Sequence, residues 1–162
     1  MSESRPVWVV AERCDLVGKW SGVRWRVLTV GSGRPETPPC TVLEQGEGWA
    51  RLFLGSVDIR LYPGETTNYL LNLRSARPAL YVILRREAGD AMRLLGATVD
   101  PGEVDVHADS GNDLIEAVAL PPDIAAWIEG FIAAHHVEQA AYRRKRDRAD
   151  PDALGRKPRN PP

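Results

Sequence analysis

A chain of 162 residues suits one domain, with interior enough for a core that needs no disulfide or metal to hold it. With 43% apolar and 27% charged residues, it carries the apolar surface needed to offset the entropy of ordering a chain, which excludes wholesale disorder. The formal charge of −1 conceals an asymmetry: residues 143–162 hold eight basic and three acidic side chains, a net of +5, and residues 1–142 hold 13 basic and 19 acidic, a net of −6.

The amino-terminal stretch MSESRPVWVVAERCD has an acid near its start and one short apolar run, VWVVA, below the roughly 7–15 residues of a secretory leader. No apolar run approaches the roughly 20 residues that span a bilayer, so a cytoplasmic protein with no membrane partner is expected. Residues 7–10 (VWVV) read as a short strand, apolar on both faces and therefore central in its sheet. Residues 14–22 read as a loop. Residues 23–30 (VRWRVLTV) alternate, which sets Trp25 and Val27 on one face and Arg24 and Arg26 on the other.

Residues 31–39 (GSGRPETPP) are rich in breakers and belong to a loop. Short strands follow at 41–44 and 49–54, with Gln45, Gly46, Glu47 and Gly48 as hairpin material between them. Another strand, 57–61, alternates Val57, Ile59 and Leu61 with Asp58, Arg60 and Tyr62, and ends at Pro63-Gly64. Residues 69–74 (YLLNLR) and 80–86 (LYVILRR) give the strongest strand patterns, joined by a turn that Pro78 presets. A turn at 87–90 leads into a strand at 92–99. Residues 100–111 are polar and fit either a loop or one or two helical turns, and 114–119 form a last short strand.

The clearest element is a helix starting at Pro121-Pro122-Asp123, where proline lacks only a donor the helix cannot use and an acid suits the dipole. Ile124, Trp127, Ile128, Phe131, Ile132 and His135 then form one apolar stripe that must pack on the sheet. The pattern allows the helix to run on to Arg146. The predicted architecture is α+β: a mainly antiparallel sheet of about eight or nine short strands, packed by one carboxy-terminal amphipathic helix. Barrel, sandwich and open sheet all remain compatible with it. Residues 1–142 form the single globular domain, and 143–162 a basic, proline-containing flexible tail.

Candidate partner-binding residues come from two places. Trp20, Arg24 and Arg26, with Trp25 and Trp8 near in sequence, combine aromatic rings and cations as stacking platforms for single strands do, although arginine over indole is also an ordinary structural contact. Trp25 belongs to the core by its alternation, so Trp20 in its loop is the better surface residue. Arg143, Arg144, Lys145 and Arg146 could neutralise phosphates or dock on an acidic partner. The acidic body opposes DNA, so a protein partner is expected and nucleic acid is the lesser candidate.

Cys14 and Cys40 read as free thiols packed as small apolar residues. His135 and His136 are neighbours and on a helix point about 100° apart, which suits a buried, hydrogen-bonded imidazole beside a surface one better than a shared metal. No nucleophile elbow, phosphate loop or dinucleotide loop occurs. No catalytic residue, cofactor or metal is therefore assigned, and the protein is expected not to be an enzyme.

Several stretches together resemble a known family: VVAER at 9–13, Trp20 followed by RWR at 24–26, YLLNL at 69–73, LPPDIAAWIEGFIAAHH at 120–136, and RRKRDR at 143–148. The family is a domain of unknown function found in small bacterial, mostly proteobacterial, proteins. Its genes often lie close to those of molybdenum-dependent formate dehydrogenase and its accessory proteins. The likeness runs from about residue 7 to residue 148, with the helix its most specific part. Here Val27 stands where the family usually has proline, and residues 100–104 replace a more helix-like stretch. The resemblance implies a setting in molybdoenzyme maturation or operation, with no catalytic residues to carry over. The expected function is thus an accessory or adaptor protein, with a molybdoenzyme subunit or its chaperone as partner. The alternative is a nucleic-acid-binding module using the Trp/Arg surface and the basic tail.

Overall fold

The structure, a computed structural model, describes residues 1–18, 22–109 and 111–137. Among these, β1 (Glu3–Leu16), β2 (Gly22–Ser32), β3 (Thr41–Gly46) and β4 (Trp49–Leu61) form one antiparallel sheet in the order β2-β1-β4-β3. α1 (Thr66–Arg74) leads to a second sheet, ordered β6-β5-β7, made of β5 (Ala79–Glu87), β6 (Ala91–Thr98) and β7 (Asp113–Ala119). α2 (Pro101–Ala108) lies between β6 and β7, and α3 (Pro122–His135) follows β7.

β1 is central, as its apolar run predicts, with β2 on one side and β4 on the other. It is much longer than 7–10 because its ladders with β2 and β4 continue through polar residues on either side of the apolar run, and it takes in part of the expected loop at 14–22. Val7, Val9 and Ala11 face the core. Trp25, 6% exposed, joins them from β2, as its alternation predicts.

The two strands expected at 49–54 and 57–61 are one strand. β4 passes through Gly55, whose φ of +135° suits a residue without Cβ, and its register against β1 slips so that Val9 faces Gly55 and Val10 faces Phe53. One extra residue reverses the alternation. Leu52 and Leu54 point inward before the slip, and Val57, Ile59 and Leu61 after it. The β3–β4 hairpin closes through Glu47 and Gly48, with Gly46 opposite Trp49. A Cβ on Gly46 would fall 2.4 Å from the Trp49 ring, so only glycine admits that indole.

Residues 69–74, expected as a strand, lie in α1. The reason is visible in burial: Thr66, Tyr69 and Asn72 are buried, whereas Leu71 is 63% exposed. Those spacings of three belong to one face of a helix, and the run holds leucines rather than β-branched residues. With α2, α1 brings to two the helices beyond the single one expected. α2 resolves the ambiguity at 100–111 in favour of helix, because Pro101 suits the first turn and the Asp100 carboxylate caps it, accepting from the Gly102 amide at 2.7 Å.

α3 buries Ile124, Trp127, Ile128 and Phe131, the predicted stripe, and leaves Ile132 and His135 half-buried at its end. Its start is tied to the first sheet: the Ser32 hydroxyl donates to Asp123, and the Arg5 guanidinium sits 5.1 Å from the Trp127 ring centre. It does not run on toward Arg146, since His136 is already extended with ψ 114°. The basic tail and the boundary at 142/143 lie outside the described residues.

One core cluster joins all of this: Val7, Val9, Ile59 and Leu61 of the first sheet, Leu80, Val82 and Leu84 of β5, and Tyr69, Ile128 and Phe131 of the helices. The sheets come together with β4 alongside β6 and β2 alongside β7, yet no ladder joins either pair among the described residues. At the β2–β7 approach the Val27 amide donates to the Glu116 carboxylate instead of to a strand. Among the described residues the molecule is therefore α+β with seven strands in two sheets and three α-helices, in place of eight or nine strands and one helix, and no closed barrel forms.

Candidate functional site

Alternation along β2 sends Arg24 and Arg26 to the outward face of the first sheet, opposite Trp25. The Trp25 indole N–H donates to the Asp90 carbonyl at 2.9 Å, so its polar atom is spent inside the protein. Trp20 and the tail residues Arg143, Arg144, Lys145 and Arg146 lie outside the described residues. Of the predicted surface, the structure thus places Arg24 and Arg26, and it places them beside groups that the sequence did not single out.

The partner is Glu12. Register sets Glu12 directly opposite Arg26 on β2 and opposite Arg51 on β4. Its carboxylate meets Arg26 Nη2 and Arg51 Nε, both at 3.1 Å, and the Cys14 thiol donates to it at 3.4 Å. Arg51 reaches on to Glu44 of β3 at 3.1 Å, and its guanidinium lies 5.3 Å from the Trp49 ring centre. Glu12 is 8% exposed, although it sits on the face turned away from the core. The two arginines cover it and remain substantially in solvent themselves.

Electrostatics follow from the contacts. Hydrogen bonding from Arg51, then from Cys14, with the Arg26 charge adding to them, holds the Glu12 carboxyl below its ordinary range. Burial, reinforced by the Glu12 hydrogen bond and charge, pushes the Cys14 thiol up. Glu12 in turn raises Arg51. The arrangement is a carboxylate clamp that holds two guanidinium groups, one of them beside an indole, on a sheet face.

The sequence carried a signal for Glu12. On the strand alternation of residues 7–14 it shares a face with Trp8, Val10 and Cys14, opposite Val7, Val9 and Ala11. A charge there needs cations from neighbouring strands, but which strands those are is a matter of topology.

The remaining candidates separate. Cys14 and Cys40 are both free, with Cys14 half-buried and Cys40 exposed, so Cys40 is not the packed thiol expected. His135 is half-buried against Phe131, with ring centres 4.4 Å apart. His136, also half-buried, carries the hydrogen bond, its Nδ1 lying 3.0 Å from the Thr66 hydroxyl. The expected pairing of a buried bonded imidazole with a surface one is thus replaced by two half-buried rings, because α3 ends between them. Among the described residues, no three His, Cys, Asp or Glu side chains cluster in a way that could hold a metal ion. Asp113, with no side-chain exposure, receives Arg85 Nε at 2.8 Å and lies 3.3 Å from His107 Nδ1, which fastens α2 to β5 and β7.

No helix among the described residues is long and apolar enough to cross a membrane. A family described as a protein of unknown function, DUF3305, matches residues 6–146. No curated protein matches the chain. No solved structure matches it.

Proposed function

We propose, for a chain that belongs to the DUF3305 family, a role as a non-enzymatic accessory or adaptor protein of the cytoplasm. It grips a protein partner with the outward face of β1, β2 and β4. One observation carries this reading: a nearly buried Glu12 holds Arg26 and Arg51 in place on an outer sheet face, next to Trp49. Arginine and tryptophan are the side chains most enriched among residues that dominate binding energy, and fixed ones lose least on association. Arg24 extends the patch along β2. The basic residues Arg143, Arg144, Lys145 and Arg146 supply further positive charge for the same partner.

The resemblance noted in the sequence points to the partner: a subunit of a molybdenum-dependent formate dehydrogenase, or a chaperone that serves it. Affinity purification of the tagged protein from its native host is expected to recover these subunits. An Arg24→Glu/Arg51→Ala variant should recover about tenfold less, the equivalent of losing roughly 1.4 kcal/mol of binding. Recovery of no molybdoenzyme component by the wild-type protein would overturn the assignment.

The Arg51–Trp49 stack also fits a nucleic-acid module, since aromatic rings beside arginine are used to bind single strands. Glu12 and Glu44 within the patch weigh against it, because each would repel phosphate. That reading requires log K to fall by about 0.7–0.9 per neutralised phosphate for each tenfold rise in salt. Absence of binding to single-stranded DNA or RNA at low salt would end it.

A further inference from the structure

Residues 94–142 hold nine acidic side chains and neither lysine nor arginine, and Arg143, Arg144, Lys145 and Arg146 follow at once. That run includes the whole of α2 and α3, so neither helix offers its acids a lysine or arginine of its own. The exposed carboxylates of Glu65, at the start of α1, and Glu103, in the first turn of α2, come together at one end of the helices. Asn68 lies between them: its amide donates to Glu65 at 3.1 Å, and the same nitrogen would be 3.3 Å from a Cβ placed on Gly102. After burial, the charges of Asp100, Glu103 and Glu65 add to the rise of the Tyr69 hydroxyl, as carboxylates gathered around it should. Among the described residues neither Glu65 nor Glu103 is in an ion pair.

The described chain ends at this same place. His136 Nδ1 lies 3.0 Å from the hydroxyl of Thr66, the residue after Glu65. Val137 then lines a cleft of about 190 Å³ with Pro63, Thr66 and Thr67, between the end of α3 and the start of α1. That volume is below the roughly 300–1,000 Å³ of ligand sites, so the cleft suits a side chain or two of a passing segment better than a separate ligand. Arg143 is six residues beyond Val137, and six extended residues span about 20 Å. The family match ends at 146, so the basic run belongs with the domain and not after it.

We infer that residues 138–146 turn back over this cleft and seat the charged ends of Arg143, Arg144, Lys145 and Arg146 against Glu65 and Glu103 of the same molecule. Opposite charge and a short tether select this occupant. Exposed ion pairs are individually weak and screened by salt, yet a short linker gives an effective concentration of about millimolar, at which a set of weak pairs is populated. A separate basic chain would meet the same carboxylates without that advantage. The contact is also readily given up: an acidic partner takes the segment by exchanging its own carboxylates for Glu65 and Glu103. The inference stands apart from the arginine face and from the identity of any partner held there.

Carbodiimide, which couples an amine directly to a carboxylate in contact with it, tests this on the full chain, with products mapped by mass spectrometry. Lys145 is expected to join Glu65 or Glu103 within one molecule at low salt, and the yield should fall at least about fivefold in about 0.5 M sodium chloride. A Glu65→Gln/Glu103→Gln variant should lose these links and let trypsin cut at 143–146 at least about threefold faster at low salt, since cutting follows the released population. Glu36→Gln, an exposed acid in the loop before β3, should change neither readout. The inference is overturned if Lys145 couples to nothing, only to Glu138, or only to carboxylates of the first sheet. It is equally overturned if salt and the double variant leave the yield and cutting rate as they were, or if Glu36→Gln acts as strongly. Links found only between isotope-labelled and unlabelled copies would overturn it too, by placing the segment on a second molecule.

Discussion

Inside the core, Asn72 donates to the carbonyls of Ala79 and Val99, at 2.8 and 2.9 Å, and accepts from the Ala79 amide at 3.0 Å. One side chain thereby ties α1 to the start of β5 and the end of β6. Removing it leaves buried main-chain groups unsatisfied, at about 1–3 kcal/mol for each group. Asn72→Ala should therefore destabilise the protein by roughly 3 kcal/mol or more, read from the denaturant midpoint. Tyr69 on the next turn of the same face accepts from the Tyr62 amide at 2.9 Å, and burial pushes its hydroxyl up to about 12. Since the folded value lies above the ordinary 10.0, its contribution is complete below pH 10 and is lost as pH rises toward 12. Wild-type stability should accordingly fall over that interval, and the gap between wild type and Tyr69→Phe should narrow. Parallel denaturation curves at pH 9 and pH 12 would contradict this.

At the scale of elements, α1 and α3 meet through Tyr69 and Phe131, whose ring centres lie 6.3 Å apart edge to face. Phe131→Ala should cost about 3–5 kcal/mol, because it removes a core ring and leaves a cavity beside Tyr69. Leu71→Ala on the exposed side of α1 should cost under about 1 kcal/mol, within the range of ordinary surface changes. Thermal or chemical unfolding of the pair checks both. If α1 were the strand its apolar run suggests, Leu71 would be the costlier loss. The run YLLNLR misleads because a six-residue stretch dominated by leucine has no decisive period of its own. The asparagine within it was the usable sign: a buried strand interior rarely accepts asparagine, whereas a helix face turned toward frayed strand ends can use its amide. α3 was legible because its stripe holds over three turns and begins with proline and an acid.

For the whole molecule, the two sheets share a core but, among the described residues, no ladder, which makes position within each sheet the main determinant of local stability. Amides of β1 and β5, each paired on both sides, should exchange slowest in native-state hydrogen exchange, and those of the edge strands β2, β3, β6 and β7 faster. Equal protection of β6 and β5 would show that the seam between β6 and β4 is hydrogen-bonded in solution. The edge at β3 is partly guarded already. Its register slips between Val42 and Glu44, and Glu44 holds Arg51, features that discourage pairing with another chain.

Periodicity is a local property, so the sequence alone determined which residues of β1, β2 and the later part of β4 face inward, where α3 begins and which side it buries. It also separated Trp25 from Arg24 and Arg26. Ladder register is not local. Whether 49–61 is one strand or two turned on a single extra residue at Gly55, and Glu12 became a clamp only because β2 and β4 flank β1 and set Arg26 and Arg51 against it. Tertiary packing likewise chose helix for residues 66–74, where tertiary burial of Tyr69 and Asn72 outweighed an ambiguous apolar run. Contacts between residues tens of positions apart made those decisions, and no window along the chain contains them.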